Sequence, residues 1–364
     1  MPETAKHPLV DERLARASTI PSSWYTDPAI LEAEVERVFG RTWQLVGTVE
    51  QVAEPGMYFT TMAAGEPIVV VKGGDGEIRA LSNVCRHRAG PVASGCGTRK
   101  SFQCGYHGWS YALDGRILAM PEFEGVEDFR KEDHPLPRFV LRQWGPMLFV
   151  RVASEGPGFD SFVGELAARL ASRPLDTYRS AARKEWVIQC NWKVYVDNYL
   201  EGYHIPIVHP SLFKELDYAN YRTETARWYS IQHSPIKRGE RLRKAPPGEN
   251  SEAEFFWLYP NLMLNVYPDN FSTNLIVPLG SDRTLTQFEW FFREPARESV
   301  RKMVDDTVVY SDEIQLEDIA ICEAVQKGLM SKTYSTGRYS VKRENGVHHF
   351  HRLLTEALEG SPSD

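Results

Sequence analysis

The sequence predicts an α+β fold of two domains, and three observations lead to this class. The chain has 364 residues, which is too long for a single core of the usual size of about 150 residues. From residue 43 to residue 152 it consists mainly of short β-branched runs separated by turn residues. The remainder mixes helical periodicity with strand-like segments, which indicates helices packed against an antiparallel sheet.

Two hairpin patterns and one further strand define the β-rich region. In residues 68–81 a β-branched run meets a Gly-Gly-Asp-Gly turn and continues with alternating apolar residues, as a hairpin requires. Residues 101–118 follow the same logic with Asp114 and Gly115 at the turn, and residues 146–152 form one more strand pattern. Such closely spaced turn signals are typical of a small β domain.

The rest of the chain combines helices with longer strands. Helical spacing appears in residues 160–172, 189–205 and 304–330. Pro206 is expected to end the second of these helices. Strand-like patterns cover residues 255–280 and 285–292. We therefore predict an N-terminal helical segment (1–42) that packs on the second domain, a β domain (43–155) and the second domain itself (156–364).

Composition and charge exclude several classes of function. Hydrophobic residues make up 42% and charged residues 25%, which is ordinary for a globular protein. The 49 acidic and 42 basic residues give a net charge of −7, which would repel a nucleic acid. No apolar stretch is long enough to span a membrane. Because the N-terminus lacks a signal-peptide pattern and the five cysteines do not suggest a disulfide framework, we expect a cytoplasmic protein.

The first chemical motif pairs a cysteine with a histidine twice. Cys85 and His87 are separated by one residue, and sixteen residues lie between His87 and the Cys104-Gly-Tyr-His107 segment. Two thiolates and two imidazoles are the ligands of an iron–sulfur centre that has cysteines on one iron and histidines on the other. A structural zinc site is the alternative. Zinc fingers usually place both cysteines before both histidines, whereas here the two types alternate, so we predict a [2Fe–2S] cluster.

The second motif lies in residues 190–209. Asp197, Glu201 and His204 are spaced by four and three residues, which on a helix would place them on one face, and His209 follows five residues later. Two close histidines and one carboxylate form the facial triad that binds non-haem iron(II). A zinc hydrolase site and ordinary polar residues at a helix end are the competing interpretations.

The predicted helix at 304–330 supplies a carboxylate for this triad. Asp318 falls within an apolar stripe formed by Ile314, Ile321 and Val325. A buried carboxylate without a partner is costly, so this position indicates a bound cation. Glu317 lies off the stripe and is the alternative ligand. Because dioxygen activation needs a source of electrons, each metal motif strengthens the interpretation of the other.

Together these residues resemble the α subunit of the Rieske non-haem iron oxygenases. The similarity covers nearly the whole chain: CRH and CGYHGW, then NWKVYVDNYLEGYHIPIVHP, YPNLMLNVYPDN and EDIAICEAVQKGL. The chain looks most like the choline-, carnitine- and betaine-type monooxygenases. Respiratory Rieske proteins carry two further cysteines near the ligands, but only Cys96 is spare here, which favours the oxygenase branch.

The resemblance implies a β-rich Rieske [2Fe–2S] domain joined to a helix-grip catalytic domain. It implies a homotrimer, or a multiple of trimers, in which the cluster of one subunit faces the iron of its neighbour. Glu201 would bridge the two centres, although most relatives have aspartate there, and Asp197 is a second candidate catalytic carboxylate. The chain has no dinucleotide fingerprint and no plant-type ferredoxin motif. An external reductase or ferredoxin, using NAD(P)H and flavin, would therefore supply the electrons.

The resemblance further implies oxygenation of a small organic substrate by O2. Monooxygenation or N-demethylation of a quaternary ammonium compound is our first expectation. A ring-hydroxylating dioxygenase or monooxygenase acting on an aromatic acid is one alternative, and a Rieske electron carrier without catalytic iron is another. Tyr203, Phe255 and Trp257 are candidate pocket residues, because aromatic faces bind quaternary ammonium groups. Plain core packing of these aromatic residues is the competing interpretation.

Overall fold

The computed structural model describes residues 10–237, 239–242 and 252–359. The predicted α+β class is confirmed. The chain folds into two compact units. The first unit comprises Phe39–Phe162 and Arg173–Asp176, and the second contains the other described residues. The predicted segment 1–42 is described from residue 10 onward.

The first unit contains ten strands. They are β1 (Gln44–Thr48), β2 (Met57–Ala63), β3 (Glu66–Lys72), β4 (Ile78–Ser82), β5 (Cys96–Thr98), β6 (Phe102–Gln103), β7 (Ser110–Tyr111), β8 (Ile117–Ala119), β9 (Arg138–Trp144) and β10 (Met147–Arg151). Seven of them form one sheet in the order β1-β10-β9-β4-β3-β2-β5, and β6-β7-β8 form a small second sheet.

The inner strand β3, which lies between β4 and β2, has both of its faces buried. Ile68 and Val70 pack with Leu148 in one apolar cluster, while Val69 and Val71 join a second cluster on the opposite face. Alternation of side chains along a strand produces this division. The second cluster also contains both cysteines of the first metal motif, so the loops that carry them rest directly on the core.

The second unit is built on one antiparallel sheet of seven strands. They are β11 (Arg179–Ile188), β12 (Arg222–Thr225), β13 (Tyr229–Pro235), β14 (Glu252–Leu258), β15 (Leu262–Val266), β16 (Asn270–Gly280) and β17 (Arg283–Phe292). Their order in the sheet is β11-β17-β16-β15-β14-β13-β12. All consecutive strands from β12 to β17 pair antiparallel. The predicted strands at 255–280 and 285–292 are therefore found, whereas β11, β12 and β13 were not predicted.

Eight α-helices complete the described chain. They are α1 (Ser23–Thr26), α2 (Pro28–Glu34), α3 (Phe159–Arg169), α4 (Trp192–Tyr199), α5 (Ile205–Val208), α6 (Pro210–Glu215), α7 (Glu298–Leu329) and α8 (Asn345–Glu359). Helix α7 covers the predicted helix except for its last residue and begins several residues earlier. Helix α8 was not predicted. No helix among the described residues is both long and apolar enough to cross a lipid bilayer.

The helix expected over residues 189–205 ends much earlier, at Tyr199. Beyond it, one carboxylate oxygen of Glu201 accepts hydrogen bonds from the backbone N–H groups of Tyr203 and His204. These bonds satisfy the free donors ahead of the short helix α5 and compete with continuation of α4. Pro206 does not end a helix but occupies the first turn of α5, where its missing N–H costs nothing. Glu201 and His204 therefore do not share one helix face with Asp197.

Candidate metal centres

The residues of the first motif lie on two loops of the first unit, one between β4 and β5 and the other between β6 and β7. Each cysteine closes its own loop. The Cys85 N–H donates to the carbonyl of Gly90 at 2.8 Å, and the Cys104 N–H donates to the carbonyl of Trp109 at 2.9 Å. These tight turns hold the cysteines inward, where both are less than 5% exposed, and leave the histidines at the loop tips.

The two histidines of these loops face each other. The ring centroids of His87 and His107 are 4.6 Å apart. Nδ1 of His87 is buried and has no hydrogen-bond partner, so this nitrogen fits a metal ligand. Among the described residues, one group of three potential ligands has its donor atoms all within 4.8 Å of one another, and this group lies in the other unit. The donor atoms of Cys85, His87, Cys104 and His107 are thus spread more widely. A zinc site requires four ligands that converge on one ion, so this arrangement does not suit zinc. A [2Fe–2S] cluster spreads its ligands over two irons and fits this arrangement.

The surroundings of the cysteines suit thiolate ligands. The Tyr111 hydroxyl accepts a hydrogen bond from the Arg86 N–H at 2.9 Å and lies 3.1 Å from Cys85 Sγ. The hydroxyl proton is thereby left for the sulfur, and hydrogen bonds to cluster sulfurs raise the reduction potential. Gly90 lies so close to Cys104 that an added Cβ would be 3.0 Å from its sulfur, so a larger residue would crowd this ligand.

Aromatic side chains cover one side of this site. Trp109 is 2% exposed and stacks on the His87 ring at a centroid distance of 5.0 Å and an interplanar angle of 7°. Phe123 packs edge-on against Trp109. His107 and its neighbour Tyr106 are exposed. The site is thus dry on the side of His87 and open on the side of His107.

The second motif is assembled in the second unit from two neighbouring parts of the chain. His204 precedes α5, His209 lies between α5 and α6, and Asp318 projects from the long helix α7. Nε2 of His209 is 3.0 Å from Asp318 Oδ1, and Nε2 of His204 is 3.8 Å from the same oxygen. The structure thus brings together the three residues predicted from the sequence as iron ligands, with one donor atom each converging.

Carboxylates orient both imidazoles from behind. Glu201 Oε1 is 2.7 Å from Nδ1 of His204, and Glu317 Oε2 is 2.7 Å from Nδ1 of His209. A carboxylate can only accept from the ring, so it favours the tautomer with hydrogen on Nδ1 and leaves Nε2 free to bind a metal. Glu317, the alternative ligand, therefore lies on the far side of the His209 ring, and Asp318 faces the site.

The electrostatics of the site follow from burial and these acidic partners. Burial disfavours the charged form of His209, but hydrogen bonds and negative charge from Asp318 and Glu317 outweigh it and raise the pKa of this histidine. The site therefore attracts positive charge. One residue not predicted from the sequence completes it: Nδ2 of Asn198 donates to Asp318 Oδ1 at 2.6 Å, and this bond fixes the carboxylate.

Comparison with known protein families identifies two regions of the chain. Residues 42–130 match the Rieske [2Fe-2S] domain, and residues 175–360 match the ring hydroxylating alpha subunit (catalytic domain). The chain belongs to the Rieske non-haem iron oxygenases. As members of this family do, the oxygenase carries a [2Fe–2S] cluster and a mononuclear iron, and the two motifs described above fit these groups.

Several characterised proteins are similar over almost the full length of this oxygenase. Chloroplastic choline monooxygenase of Arabidopsis thaliana is 36% identical over 95% of this chain and 84% of its own length. The carnitine monooxygenase oxygenase subunit of Escherichia coli (strain K12) is 32% identical over 94% of each chain. The solved structure of a quaternary ammonium Rieske monooxygenase superposes with a TM-score of 0.87 at 27% identity and covers 96% of this chain and 99% of that one.

A more distant structure shows the breadth of the fold. Naphthalene 1,2-dioxygenase from Rhodococcus sp. superposes with a TM-score of 0.79 at 18% identity, covering 94% of this chain and 95% of that one. At this identity the likeness concerns the fold alone.

Asp197 of the oxygenase forms its side-chain hydrogen bonds with residues other than the iron ligands. Its carboxylate accepts from the Tyr25 hydroxyl at 2.6 Å and lies 2.9 Å from His351 Nε2. The other ring nitrogen of His351 is 2.6 Å from the Tyr339 hydroxyl. Asp197 thus ties α4 to α1 and α8. The sequence indicated neither His351 nor the two tyrosines as partners, since they lie more than a hundred residues from Asp197.

A cavity of about 130 Å³ opens at the iron ligands and extends between the sheet and α7. Its wall is rich in aromatic side chains: Tyr195, Tyr199, Tyr221, Phe255, Tyr267, Phe288, Trp290 and Tyr310. Amide groups line it as well, among them Asn265 and Asn274, whose side chains are hydrogen-bonded to each other. The wall is therefore mainly aromatic with a few fixed polar groups, as expected of a small-molecule site.

Of the three predicted pocket residues, only Phe255 lines this cavity. Trp257 shares its face of β14 but is fully buried against Phe350 of α8 and donates its indole N–H to the Pro260 carbonyl. Tyr203 is 58% exposed and lies outside the cavity wall. The prediction that Tyr203 and Trp257 line the pocket is therefore corrected. Helix α8 covers Trp257, and Tyr203 lies beyond the early end of α4, where its side chain is exposed.

Proposed function

We propose that this chain is the terminal oxygenase component of a monooxygenase that acts on a quaternary ammonium compound. In the net reaction a C–H bond, O2, two electrons and two protons give a C–OH group and water. The observation that carries the proposal is the aromatic cavity that opens directly at His204, His209 and Asp318. The similar proteins support the proposal, since they are a choline monooxygenase, a carnitine monooxygenase and a quaternary ammonium monooxygenase.

The cavity suits such a substrate for two physical reasons. Aromatic faces attract a cation that cannot form hydrogen bonds, and a trimethylammonium group is of this kind. In addition, the carboxylates of Glu201, Asp269 and Asp318 line the cavity and place acceptor oxygens close to a bound cation. A bound non-haem iron(II) supplies the open coordination positions at which O2 is activated. The residues of the chain would hold the substrate so that one methyl or methylene group points to that position.

Glu201 is proposed to connect the two centres, in a trimer where a cluster serves the iron of the neighbouring subunit. The relative of known structure carries out inter-subunit electron transfer, and the Glu201 carboxylate is fixed by three hydrogen bonds of its own turn.

A separate reductase or ferredoxin would provide the electrons from NAD(P)H through a flavin. We propose residues 43–155 and 156–364 as the two domains, and a cytoplasmic location consistent with five cysteines that form no disulfide.

A substrate screen with chemically reduced enzyme tests this function. The purified protein, loaded with iron and cluster, would be given O2 and either choline, γ-butyrobetaine or benzoate. We expect oxygen uptake coupled to oxidised product only with the quaternary ammonium compounds, and formaldehyde where a methyl group is lost. A cis-diol or phenol from benzoate would instead support the ring-hydroxylating alternative. Cluster reduction without any product would support a pure electron carrier.

A further inference from the structure

A single basic side chain, Arg241, lies in the wall of the cavity that contains the iron ligands. It is the only lysine or arginine among the described residues that line this cavity. All other charged residues of the wall, apart from the two iron-site histidines, are acidic. Among the described residues of the wall this guanidinium group is the one that is permanently positive, and its side chain is 44% exposed.

The backbone at Arg241 is held in place by a buried carboxylate. Glu215 is 2% exposed, and its Oε2 accepts the N–H groups of Glu240, Arg241 and Leu242 at 3.0, 3.1 and 3.3 Å. Glu215 is the last residue of α6, which begins directly after His209. A buried carboxylate is costly unless it is hydrogen-bonded in this way. The position of Arg241 is therefore fixed relative to the helix that follows an iron ligand.

Two neighbours orient the guanidinium group of Arg241 but leave some of its N–H donors without a protein acceptor among the described residues. Its central carbon lies 4.4 Å from the centroid of the Tyr310 ring, and Tyr310 also lines the cavity. Nη2 donates to Glu313 at 3.0 Å. A guanidinium group has five N–H donors, and among the described residues Nε and Nη1 of Arg241 have no hydrogen-bond acceptor. Arg241 can therefore bind an additional anion while keeping its present contacts.

We propose that Arg241 binds a carboxylate group of the substrate. The inference rests on the proposed function and narrows it. The substrate is then a betaine, which carries a quaternary ammonium group at one end and a carboxylate at the other, rather than a purely cationic amino alcohol. The aromatic and acidic part of the wall receives the ammonium group, and Arg241 receives the carboxylate through charge-assisted hydrogen bonds, for which arginine is well suited.

The chain offers a close control for this arginine. Arg227 also pairs with a glutamate, Glu356, at 2.8 Å, and also stacks on an aromatic ring, that of Trp228, at 4.6 Å. It does not line the cavity. Arg227→Gln therefore removes the same kinds of surface contact as Arg241→Gln without changing the proposed binding site.

The test compares γ-butyrobetaine with its uncharged primary amide and with choline. Dissociation constants are measured by calorimetry on the loaded oxidised enzyme, so that binding is separated from turnover. We expect the wild type and Arg227→Gln to bind the acid at least about tenfold more tightly than the amide, the effect of one hydrogen bond to a charged group. Arg241→Gln should abolish this preference, and Arg241→Lys should retain part of it.

Three results would overturn the inference. The first is equal binding of acid and amide by the wild type, and the second is an unchanged preference for the acid in Arg241→Gln. Either would show that Arg241 does not bind a carboxylate of the substrate. Binding and turnover of choline would in both cases leave the proposed function intact. Failure of all three compounds to bind and to be oxidised would overturn the proposed function together with the inference. Because the readout is a ratio of affinities, a general loss of stability in a variant would not imitate the expected result.

Discussion

Replacement of Glu317 by glutamine is expected to weaken iron binding without removing an iron ligand. Glu317 is 2.7 Å from Nδ1 of His209, whose side chain is 1% exposed. Loss of a carboxylate that orients a metal-binding histidine usually costs 10- to 100-fold in metal affinity, or about 1.4–2.7 kcal/mol. Because the Glu317 side chain is 31% exposed, water screens part of its charge. We therefore expect about 10- to 30-fold, the lower part of this range.

The measurement is a titration of iron-depleted enzyme with Fe(II) in competition with a chromophoric chelator. The absorbance of the [2Fe–2S] cluster reports in the same sample that the protein is folded and loaded. Asp305→Asn changes an exposed acid of the same helix and serves as the control. An affinity of Glu317→Gln equal to that of the control would refute the orienting role. Complete loss of iron, with only a small effect of Asp318→Asn, would show that Glu317 is the ligand.

Four further outcomes follow from the described contacts. Cys85→Ser should abolish the visible absorbance of the cluster while iron remains at the other site, as measured by metal analysis. Glu201→Gln should leave both centres loaded but slow product formation sharply, and unimpaired turnover would contradict the bridging role. Glu34→Gln should lower the unfolding free energy by about 3–5 kcal/mol in urea titrations, because it leaves Lys193, buried with Glu34 at 2.7 Å, without its counter-charge. Burial lowers the pKa of His349 from 6.5 to about 4. Between these two pH values the unfolded chain binds a proton at His349 that the folded chain does not. The free energy of unfolding therefore falls as the pH drops from 6.5 to about 4. His349→Gln should remove up to about 3 kcal/mol of this dependence.

Local signals predicted the elements whose shape depends on a few neighbouring residues. The hairpin over 68–81 forms with the Gly-Gly-Asp-Gly segment between β3 and β4, because turn residues act through their own backbone preferences. The ligand pairs of the first motif could be located for the same reason, since each cysteine and its histidine lie on one short loop. None of this required knowledge of distant contacts.

Asp318 faces the metal site as expected, but the apolar periodicity that pointed to it does not describe its surroundings. The apolar stripe that was expected to bury Asp318 is partly exposed, with Ile321 at 36% and Val325 at 43%. Around Asp318 the buried face of α7 is instead mainly polar, with Gln315, Cys322 and Gln326 on the same side as Asp318. These groups bind partners on α4 and its N-terminus, such as Tyr195 and Asn191. Hydrophobic periodicity cannot find a face that is buried through hydrogen bonds.

The elements missed entirely have the same cause. Strand β13 (YSIQHSP) is almost wholly buried, yet it is too polar to be predicted as a core strand. Its Gln232 lines the cavity and bonds to the Tyr199 carbonyl and the Tyr221 hydroxyl. Helix α8 contains three histidines, and His351 is used to hold Asp197. Sequence rules fail at these places because function and tertiary contacts, rather than local preference, select the residues.

The geometry of His209 explains why the iron site depends on the register of a whole helix. Two consecutive residues of α7 contact opposite nitrogens of this ring, Glu317 at Nδ1 and Asp318 at Nε2. A shift of α7 by one residue would replace both contacts at once. The hydrogen bonds that Gln315 and Gln326 make on either side of the pair oppose such a shift. The buried polar face of α7 thus positions the iron ligands. This role explains why amide side chains occupy these positions, although leucine side chains would be buried at a lower desolvation cost.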